Sequence, residues 1–355
     1  MPLENAVIDD SLLEVAPAQV SDLQAGAVLQ QCFGMRGRLE KLGGERDLNF
    51  RVILPAGASR LLKLSHPLEN PQVVDFHNQA MRRIAQRDPE LPVQRVYPAL
   101  GGDHASWVEI DGQRMLARLL SFVDGLPLHR MKYTSQPLRR DIGRALARLD
   151  VALEGFDHPA AGHALLWDMQ HAQRLRPLLV HIAEGDGRDL VEQGLDRFES
   201  WVLPRMAGLR RQVIHNDMNP HNLIVDAGNP DVLRNILDFG DMVRAPRVNE
   251  VAVAASYHLG QAGDVLAPAL DVIAAYHQHN PLGSEEIALL PELLTTRLAL
   301  ALCINSWRAE LHPDNRQYIL RNAQRAWANL RAMSSVSRSE IEERISLACI
   351  RELTA

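Results

Sequence analysis

The part of the chain best equipped for chemistry lies between His215 and Asp241. It reads His215-Asn216-Asp217-Met218-Asn219-Pro220-His221-Asn222, and further on Ile236-Leu237-Asp238-Phe239-Gly240-Asp241. Asp217 follows an apolar run, Gln212–Ile214, and enters a turn holding Asn219 and Pro220. Asn222 opens the next run, Leu223–Val225, and a further one, Asn235–Leu237, ends at Asp238. Short apolar runs separated by Gly, Asn and Pro read as strand, turn, strand. Two strands joined by Asp226-Ala227-Gly228-Asn229-Pro230 put Asn222 and Asp238 at adjacent strand ends, with Asp217 nearby on its loop. Two carboxylates and an amide oxygen are a hard-oxygen set. Two of them suit a Mg²⁺ ion that also carries phosphate oxygens. The remaining acid can take a proton from an attacking hydroxyl or orient it. Phosphoryl transfer asks little more of a protein than positioning and charge neutralisation.

The rest of the chain must supply a scaffold for that segment. Gln19–Cys32 predicts a short amphipathic helix ending near Gly34. Arg38–Leu42 and Asn49–Leu54 alternate polar and apolar residues around a Gly-Gly-Glu-Arg-Asp turn, the pattern of an antiparallel hairpin. Arg60–Leu64 supplies a third strand, and Val96–Leu100, Ser106–Ile110 and Arg114–Phe122 three more. Asp75–Gln86 reads as a helix inserted among them. Beyond Val123–Pro127 the period turns helical: Arg139–Gly155, Asp168–Ile182, Leu190–Leu209, Asn249–Leu259, Val265–Gln278, Leu289–Glu310 and Asp314–Met333. Val213–Asp241 is a strand-rich island in that helical half. The expected fold is therefore α+β and two-lobed. Residues 1–122 form a small antiparallel β-rich lobe, 119–125 a hinge, and 123–355 a larger, mostly helical lobe. Such a pair of lobes encloses a cleft, where ligands tend to bind.

The spacing His215-x-Asp217-x-x-x-x-Asn222, followed by Asp238-Phe239-Gly240-Asp241, resembles the catalytic and metal loops of the aminoglycoside phosphotransferase and choline kinase superfamily, which shares the protein-kinase-like fold. Within it, Gly44–Phe50, Leu62-Lys63-Leu64, Arg118–Gly125, Gly155–Pro159 and Leu166-Trp167-Asp168 are most similar to hydroxylysine kinase-type enzymes. The likeness runs from about Val20 to Arg308. It implies that Asp217 receives the substrate hydroxyl proton, that His215 braces the loop, and that Asn222 and Asp238 hold Mg²⁺ on the nucleotide phosphates. Asp241 is a supporting acid. Lys63 would contact the α and β phosphates, the Gly43–Asn49 turn, with Gly44 and Asn49, would cover them, and Leu119–Phe122 would meet the purine. Two departures stand out: only Gly43 and Gly44 enrich that turn, and the helix Asp75–Gln86 has no glutamate to pair with Lys63. Asp75, His77, Asn78 and Gln79 are the neighbours it offers.

Each of these residues also has a plainer reading. Asp217, Asn222 and Asp238 taken singly are ordinary turn residues; their joint spacing is what favours a site. His215 and His221 flank Asp217 as hydrolase metal ligands would, but no third ligand stands at a helical or Cys/His spacing, so His221 is read as incidental. A lysine inside Leu61-Leu62-Lys63-Leu64 needs an anion if its strand is central. Asp168 suits a helix N-cap, Glu250 a first-turn acid facing the helix dipole, and Arg308, Glu310 and His312 a solvated helix face.

Composition narrows the partners. The 355 residues carry 44 acids against 38 Lys and Arg, a net charge of −6, with 46% hydrophobic residues. Basic residues interleaved with acids argue against nucleic acid as a partner. The N-terminus lacks the basic flank and long apolar run of a secretion signal, and the most apolar stretch, around Leu298–Cys303, is too short for a bilayer. Three scattered cysteines suit neither a disulfide framework nor a zinc site, and a cytoplasmic setting follows. The expected activity is Mg²⁺-dependent transfer of the γ-phosphoryl of ATP or GTP to a hydroxyl of a small amino-bearing metabolite, 5-hydroxylysine first. An aminoglycoside, choline, ethanolamine or homoserine would keep the chemistry and change the acceptor. The net acidity favours a cationic one. A nucleotide-binding pseudokinase without turnover is the reading of another class.

Overall fold

The computed structural model describes residues 19–44, 47–260 and 263–354. Helix α1 (Asp22–Phe33) starts at a capping box, in which Gln24 N–H donates to Ser21 Oγ and Ser21 N–H to Gln24 Oε1. It stops at Gly34, whose φ of 65° is the left-handed cap that glycine takes without strain. The strands β1 (Arg38–Leu42), β2 (Leu48–Ile53), β3 (Ser59–Leu64), β4 (Val96–Tyr97), β5 (Ser106–Ile110) and β6 (Gln113–Ser121) form one antiparallel sheet. Its order is β1-β2-β3-β6-β4, with β5 also pairing β6. Alternation does the sorting: Leu48, Phe50 and Val52 of β2 point to a buried face with Leu62, Leu64 and Leu119, covered by Ala25, Leu29 and Phe33 of α1. The opposite face carries Asn49, Lys63 and Arg118, aligned across β2, β3 and β6. Helix α2 (Pro71–Arg87) lies between β3 and β4 in sequence, capped by Asn70.

The second lobe is helical around a strand-built loop region. Strands β7 (Leu126–Pro127), β8 (Arg211–Ile214), β9 (Leu223–Val225), β10 (Leu233–Ile236) and β11 (Val243–Pro246) form two small sheets, β10-β9-β7 and β11-β8. Around them pack α3 (Gln136–Leu153), α4 (Asp186–Arg197), α5 (Arg247–Ser256), α6 (Ala267–His279), α7 (Ser284–Leu311), α8 (Ala323–Ser334) and α9 (Arg338–Thr354). Gly143 lets α3 approach α6, since a Cβ there would lie 2.3 Å from Val272 O. The segment before β4 is stitched to β10: Ile236 N–H donates to Pro92 O at 2.8 Å and Gln94 N–H to Ile236 O at 2.9 Å. That link ties the first lobe to the chain two residues before Asp238.

Several expected helices come out differently. Asp168–Ile182 forms 3₁₀ turns over Met169–His181, with a non-helical residue at His171 and a proline at 177. Leu190–Leu209 ends as an α-helix at Arg197 and continues as a π turn and a 3₁₀ turn through Gly208. Pro204 lacks the N–H that an α-helix would need there. Asp314–Met333 is broken near Leu320, and α9 was not anticipated at all. Its Ile341, Ile345 and Cys349, spaced by four, are buried, so the helical signal was present. The apolar stretch around Leu298 belongs to the 28-residue α7, long and apolar enough by composition to cross a bilayer. Instead, 83% of its most apolar window is buried inside the protein. It is the central core helix of the second lobe.

Candidate active site

Strand β8 delivers the loop that holds Asp217. His215 is fully buried. Its Nε2 lies 3.0 Å from Leu237 O, and its Nδ1 accepts the Asp217 N–H at 3.3 Å. This arrangement needs a neutral ring with the proton on Nε2, and burial pushes the imidazole pKa down accordingly. The ring also meets Phe239 edge-on at 4.9 Å. His215 therefore links the loop after β8 to the strand end at Leu237. Asn216 takes a left-handed φ of 65°, a strained conformation that needs support. Its N–H donates to Glu250 Oε2 at 2.7 Å.

Glu250 is thus more than a first-turn acid on α5. It is fully buried, and burial, then nearby Asp150, raises its pKa well above the usual carboxylate range. We expect Glu250→Ala to cost about 1–3 kcal/mol of stability by orphaning the Asn216 N–H, and to lower kcat. Glu250→Gln keeps an acceptor oxygen and should retain most of both. Thermal melts and steady-state kinetics of the two variants check this.

Asp217 sits among amides. Its Oδ2 accepts from Asn219 Nδ2 at 2.8 Å and Asn222 Nδ2 at 2.7 Å. Its Oδ1 lies 3.6 Å from Arg297 Nη2. Burial and the charge of Asp241 push the carboxyl up to about 8, against the pull of Arg297. Asn222 also donates to Asp217 O at 3.0 Å, so its amide nitrogen is turned to Asp217 and its Oδ1 is the atom left for a cation. Strands β9 and β10 pair Leu223 with Ile236, and Leu237 N–H donates to Asn222 O at 2.8 Å. Asn222 and Asp238 therefore stand at neighbouring strand ends, as the turn between them predicted. Asp238 adopts φ 57°, ψ 85° and caps Gly240 N–H at 3.2 Å.

Across from it, Lys63 Nζ lies 3.7 Å from Asp238 Oδ1 and 2.9 Å from Asp47 Oδ2. Asp47 is the acid that the sequence reading sought in α2 and did not find there. Asp75 instead pairs with His158 at 3.2 Å, and Asn78 bonds His104 O at 3.2 Å. His77 is buried beside Arg118 and Lys63, its pKa driven well down by burial and then by Arg118. The lysine's partner comes from the β1–β2 turn, three residues past the glycine pair. Burial opposes the charge on both partners. It is outweighed by Asp47 for Lys63, which stays protonated, and by Lys63 and Arg118 for Asp47, which stays ionised. Asp47 Oδ1 also accepts His66 N–H at 3.0 Å. Asp47→Asn should therefore lower stability by about 3 kcal/mol, the usual cost of breaking a buried pair, and raise the nucleotide KM. A melt and a nucleotide titration measure both.

Gly44 and Asn49 shape that turn. A Cβ on Gly44 would lie 2.4 Å from Asp47 O, and Asn49 Nδ2 is 3.4 Å from the same oxygen. Glu45 and Arg46, in the same motif, lie outside the described residues. Leu119 is fully buried inside the ladder, between Leu62 of β3 and Tyr97 of β4. Ser121 still takes part in pairing, with its N–H on Arg95 O. Phe122 is the first residue past the ladder, under the Arg51 guanidinium at 4.6 Å.

The Phosphotransferase enzyme family matches residues 39–290, well over half of the chain. The chain belongs to this family. The phosphotransferase is 26% identical over 347 residues to hydroxylysine kinase of Mus musculus, covering 91% of this chain and 92% of that protein. It is also 26% identical over 339 residues to hydroxylysine kinase of Danio rerio, covering 92% and 94%. Its fold is that of amicoumacin kinase, solved in complex with AMP-PNP and Ca²⁺, with a TM-score of 0.64, 14% identity, and coverage of 92% and 94%. The bilobal kinase-like architecture is thereby shown, and the protein is a small-molecule kinase.

Beside the Asp217 loop of the phosphotransferase, Pro220 and His221 wall a cavity of about 360 Å³ that also takes in Trp167, Tyr257 and Arg297. His221, read from sequence as incidental, stacks on His129 at 4.2 Å and meets Arg321 Nε at 3.3 Å. Burial and Arg321 push its pKa to about 4. Arg297 is the main residue that sequence reasoning missed. It sits mid-helix in an apolar run, where a lone charge on a buried face was the available signal. Asp168 is the N-cap it was expected to be, accepting Gln170 N–H at 3.1 Å. Glu310 pairs with His181 at 2.6 Å, and none of Arg308, Glu310 and His312 lines the cavity.

Proposed function

We propose that this kinase moves the γ-phosphoryl group of ATP or GTP, with Mg²⁺, to the hydroxyl of a small hydroxylated amine, 5-hydroxylysine first. The observation that carries the reading is the placement of Asp217. Its Oδ2 is held by two amides while Oδ1 is turned to Arg297, which lines the cavity, and Lys63, Asp47 and Asp238 gather together on what we take as the nucleotide side. The acceptor O–H gives its proton to Asp217 Oδ1 as its oxygen attacks the γ phosphorus. The bond to the β-phosphate oxygen breaks, and the nucleoside diphosphate leaves. Lys63, held in place by Asp47, offsets charge on the nucleotide phosphates. Asn222 Oδ1 and the Asp238 carboxylate are hard-oxygen donors suited to Mg²⁺; when bound, the ion would neutralise phosphate charge. Nine-tenths coverage of proteins named hydroxylysine kinase supports the acceptor. Asp47 supplies the lysine partner whose absence from α2 kept the pseudokinase reading open. The three cysteines are buried and form no disulfide among the described residues, in keeping with the reducing cytoplasm we propose as its setting.

A nucleotide-consumption screen over hydroxylated amino acids, amino alcohols and aminoglycosides, with ATP and GTP in Mg²⁺, tests the reading. Acceptor-dependent release of nucleoside diphosphate with 5-hydroxylysine is expected. Thermal stabilisation by Mg²⁺–nucleotide without turnover across the panel would favour a binding module instead.

A further inference from the structure

The cavity beside Asp217 has the opposite charge to the chain that builds it. Over the whole sequence acids outnumber Lys and Arg by 44 to 38. Among the described residues lining the cavity there is no Asp or Glu, while Lys132, Arg139, Arg297 and Arg325 all face it. Net charge is thus a poor guide to the acceptor here, and a purely cationic molecule entering this space meets like charge.

These four side chains are not equivalent. Arg139 is already neutralised, with Asp271 Oδ2 at 2.8 Å from Nε and 2.7 Å from Nη2. Arg325 donates to the carbonyls of Tyr257 and Leu259, at 2.9 and 3.3 Å. Lys132 is exposed. Arg297 differs from all three. Its residue is only 2% exposed, and its Nε and Nη1 have no hydrogen-bond partner among the described residues. Only Nη2 is used, donating to Tyr257 Oη at 3.1 Å and lying 3.6 Å from Asp217 Oδ1, too far for a hydrogen bond. The guanidinium is fixed between rings, 5.0 Å from the Trp167 centroid and 5.7 Å from that of Tyr257. A buried guanidinium whose Nε and Nη1 find no protein acceptor, on a residue that lines a cavity, is costly unless a ligand completes it. Its planar fork matches a carboxylate better than any neutral group.

We propose that Arg297 anchors a carboxylate of the acceptor, so that the substrate class is hydroxy acids, hydroxylated amino acids included, rather than amino alcohols or aminoglycosides. This rests on the reading that the cavity takes the acceptor, and it deepens that reading by choosing among the acceptors the reaction class allows. Arg297 acts here as a specificity-determining residue. It selects the molecule whose hydroxyl reaches Asp217 by holding a charged group at a fixed place beside it.

The test compares 5-hydroxylysine with its decarboxylated counterpart, which keeps the hydroxyl and both amines. Steady-state kinetics are run on the wild-type full chain, Arg297→Gln and Arg297→Lys. In the wild type, loss of the carboxylate should raise KM about 10- to 100-fold, the worth of a hydrogen bond between charged groups. Arg297→Gln should raise KM for 5-hydroxylysine by a similar factor with a smaller change in kcat, and should leave KM for the decarboxylated compound nearly unchanged. Arg297→Lys should recover part of the preference. Equal wild-type kinetics on the two compounds overturn the anchor and leave the kinase reading standing, and this comparison decides alone if Arg297→Gln does not fold. An equal fall of kcat on both compounds in Arg297→Gln also overturns it, since that is the signature of a role at the phosphoryl group. If neither compound is phosphorylated, calorimetric binding separates the two ideas. Binding of 5-hydroxylysine lost in Arg297→Gln supports the anchor and removes 5-hydroxylysine as the phosphoryl acceptor, and binding unchanged in the variant sinks the anchor too.

Discussion

Asp217→Asn is expected to lower kcat by about 10²–10⁴-fold, the usual worth of a positioned general base, with nucleotide Kd close to that of the wild type. An asparagine is nearly isosteric and can still accept from Asn219 and Asn222 through one oxygen. The loop brace through His215, Leu237 and Glu250 does not involve the Asp217 carboxylate, so the fold should persist. What the variant loses, on the mechanism we propose, is the oxygen that takes the hydroxyl proton. The measurements are single-turnover kinetics and nucleotide titration, with a thermal melt as the control for folding. Turnover at wild-type rates in Asp217→Asn would remove this residue from the reaction.

The second large effect is expected on the nucleotide side. Asp238→Ala should weaken nucleotide binding in the presence of Mg²⁺ about 10- to 100-fold, the worth of a contact between charged groups. In metal-free buffer the change should be much smaller. Two structural terms accompany the loss of charge. The Asp238 carboxylate neighbours the Lys63 ammonium at 3.7 Å, and the residue holds a left-handed φ of 57° while capping Gly240. Alanine tolerates that backbone poorly, so Asp238→Asn is the informative companion. It keeps the conformation and the cap and removes only the charge. An unchanged nucleotide Kd with Mg²⁺ in both variants would show that Asp238 is not a metal ligand.

The comparison between sequence and structure is most instructive at Lys63. Its strand, its cross-strand neighbours and its need for an anion all follow from the alternation of β2, β3 and β6. Its partner does not. The family resemblance points to a glutamate in α2, whereas the acid is Asp47 in an irregular turn that Gly44 allows to close tightly. Turn geometry depends on contacts with the following strand and with His66 N–H, and pattern alone does not report these. Glu250 teaches the same lesson. As a first-turn acid it satisfied a local rule, and its tie to Asn216 needs α5 to pack against the loop after β8.

Sequence by itself determined how the candidate reaction segment is assembled, because its geometry is local. His215, Asp217, Asn222 and Asp238 are separated by short strands and turns whose pairing follows from period and turn residues, and the structure sets them together as that pairing requires. It also determined the two-lobed α+β layout, since period-two and helical patterns are segregated along the chain. The tertiary structure decided which residues surround that segment. Asp47, Glu250 and Arg297 lie outside it in sequence, and each reaches it only through packing between elements. The charge of the cavity was likewise decided there, because a pocket's lining samples a few side chains from several helices and owes nothing to the chain's average.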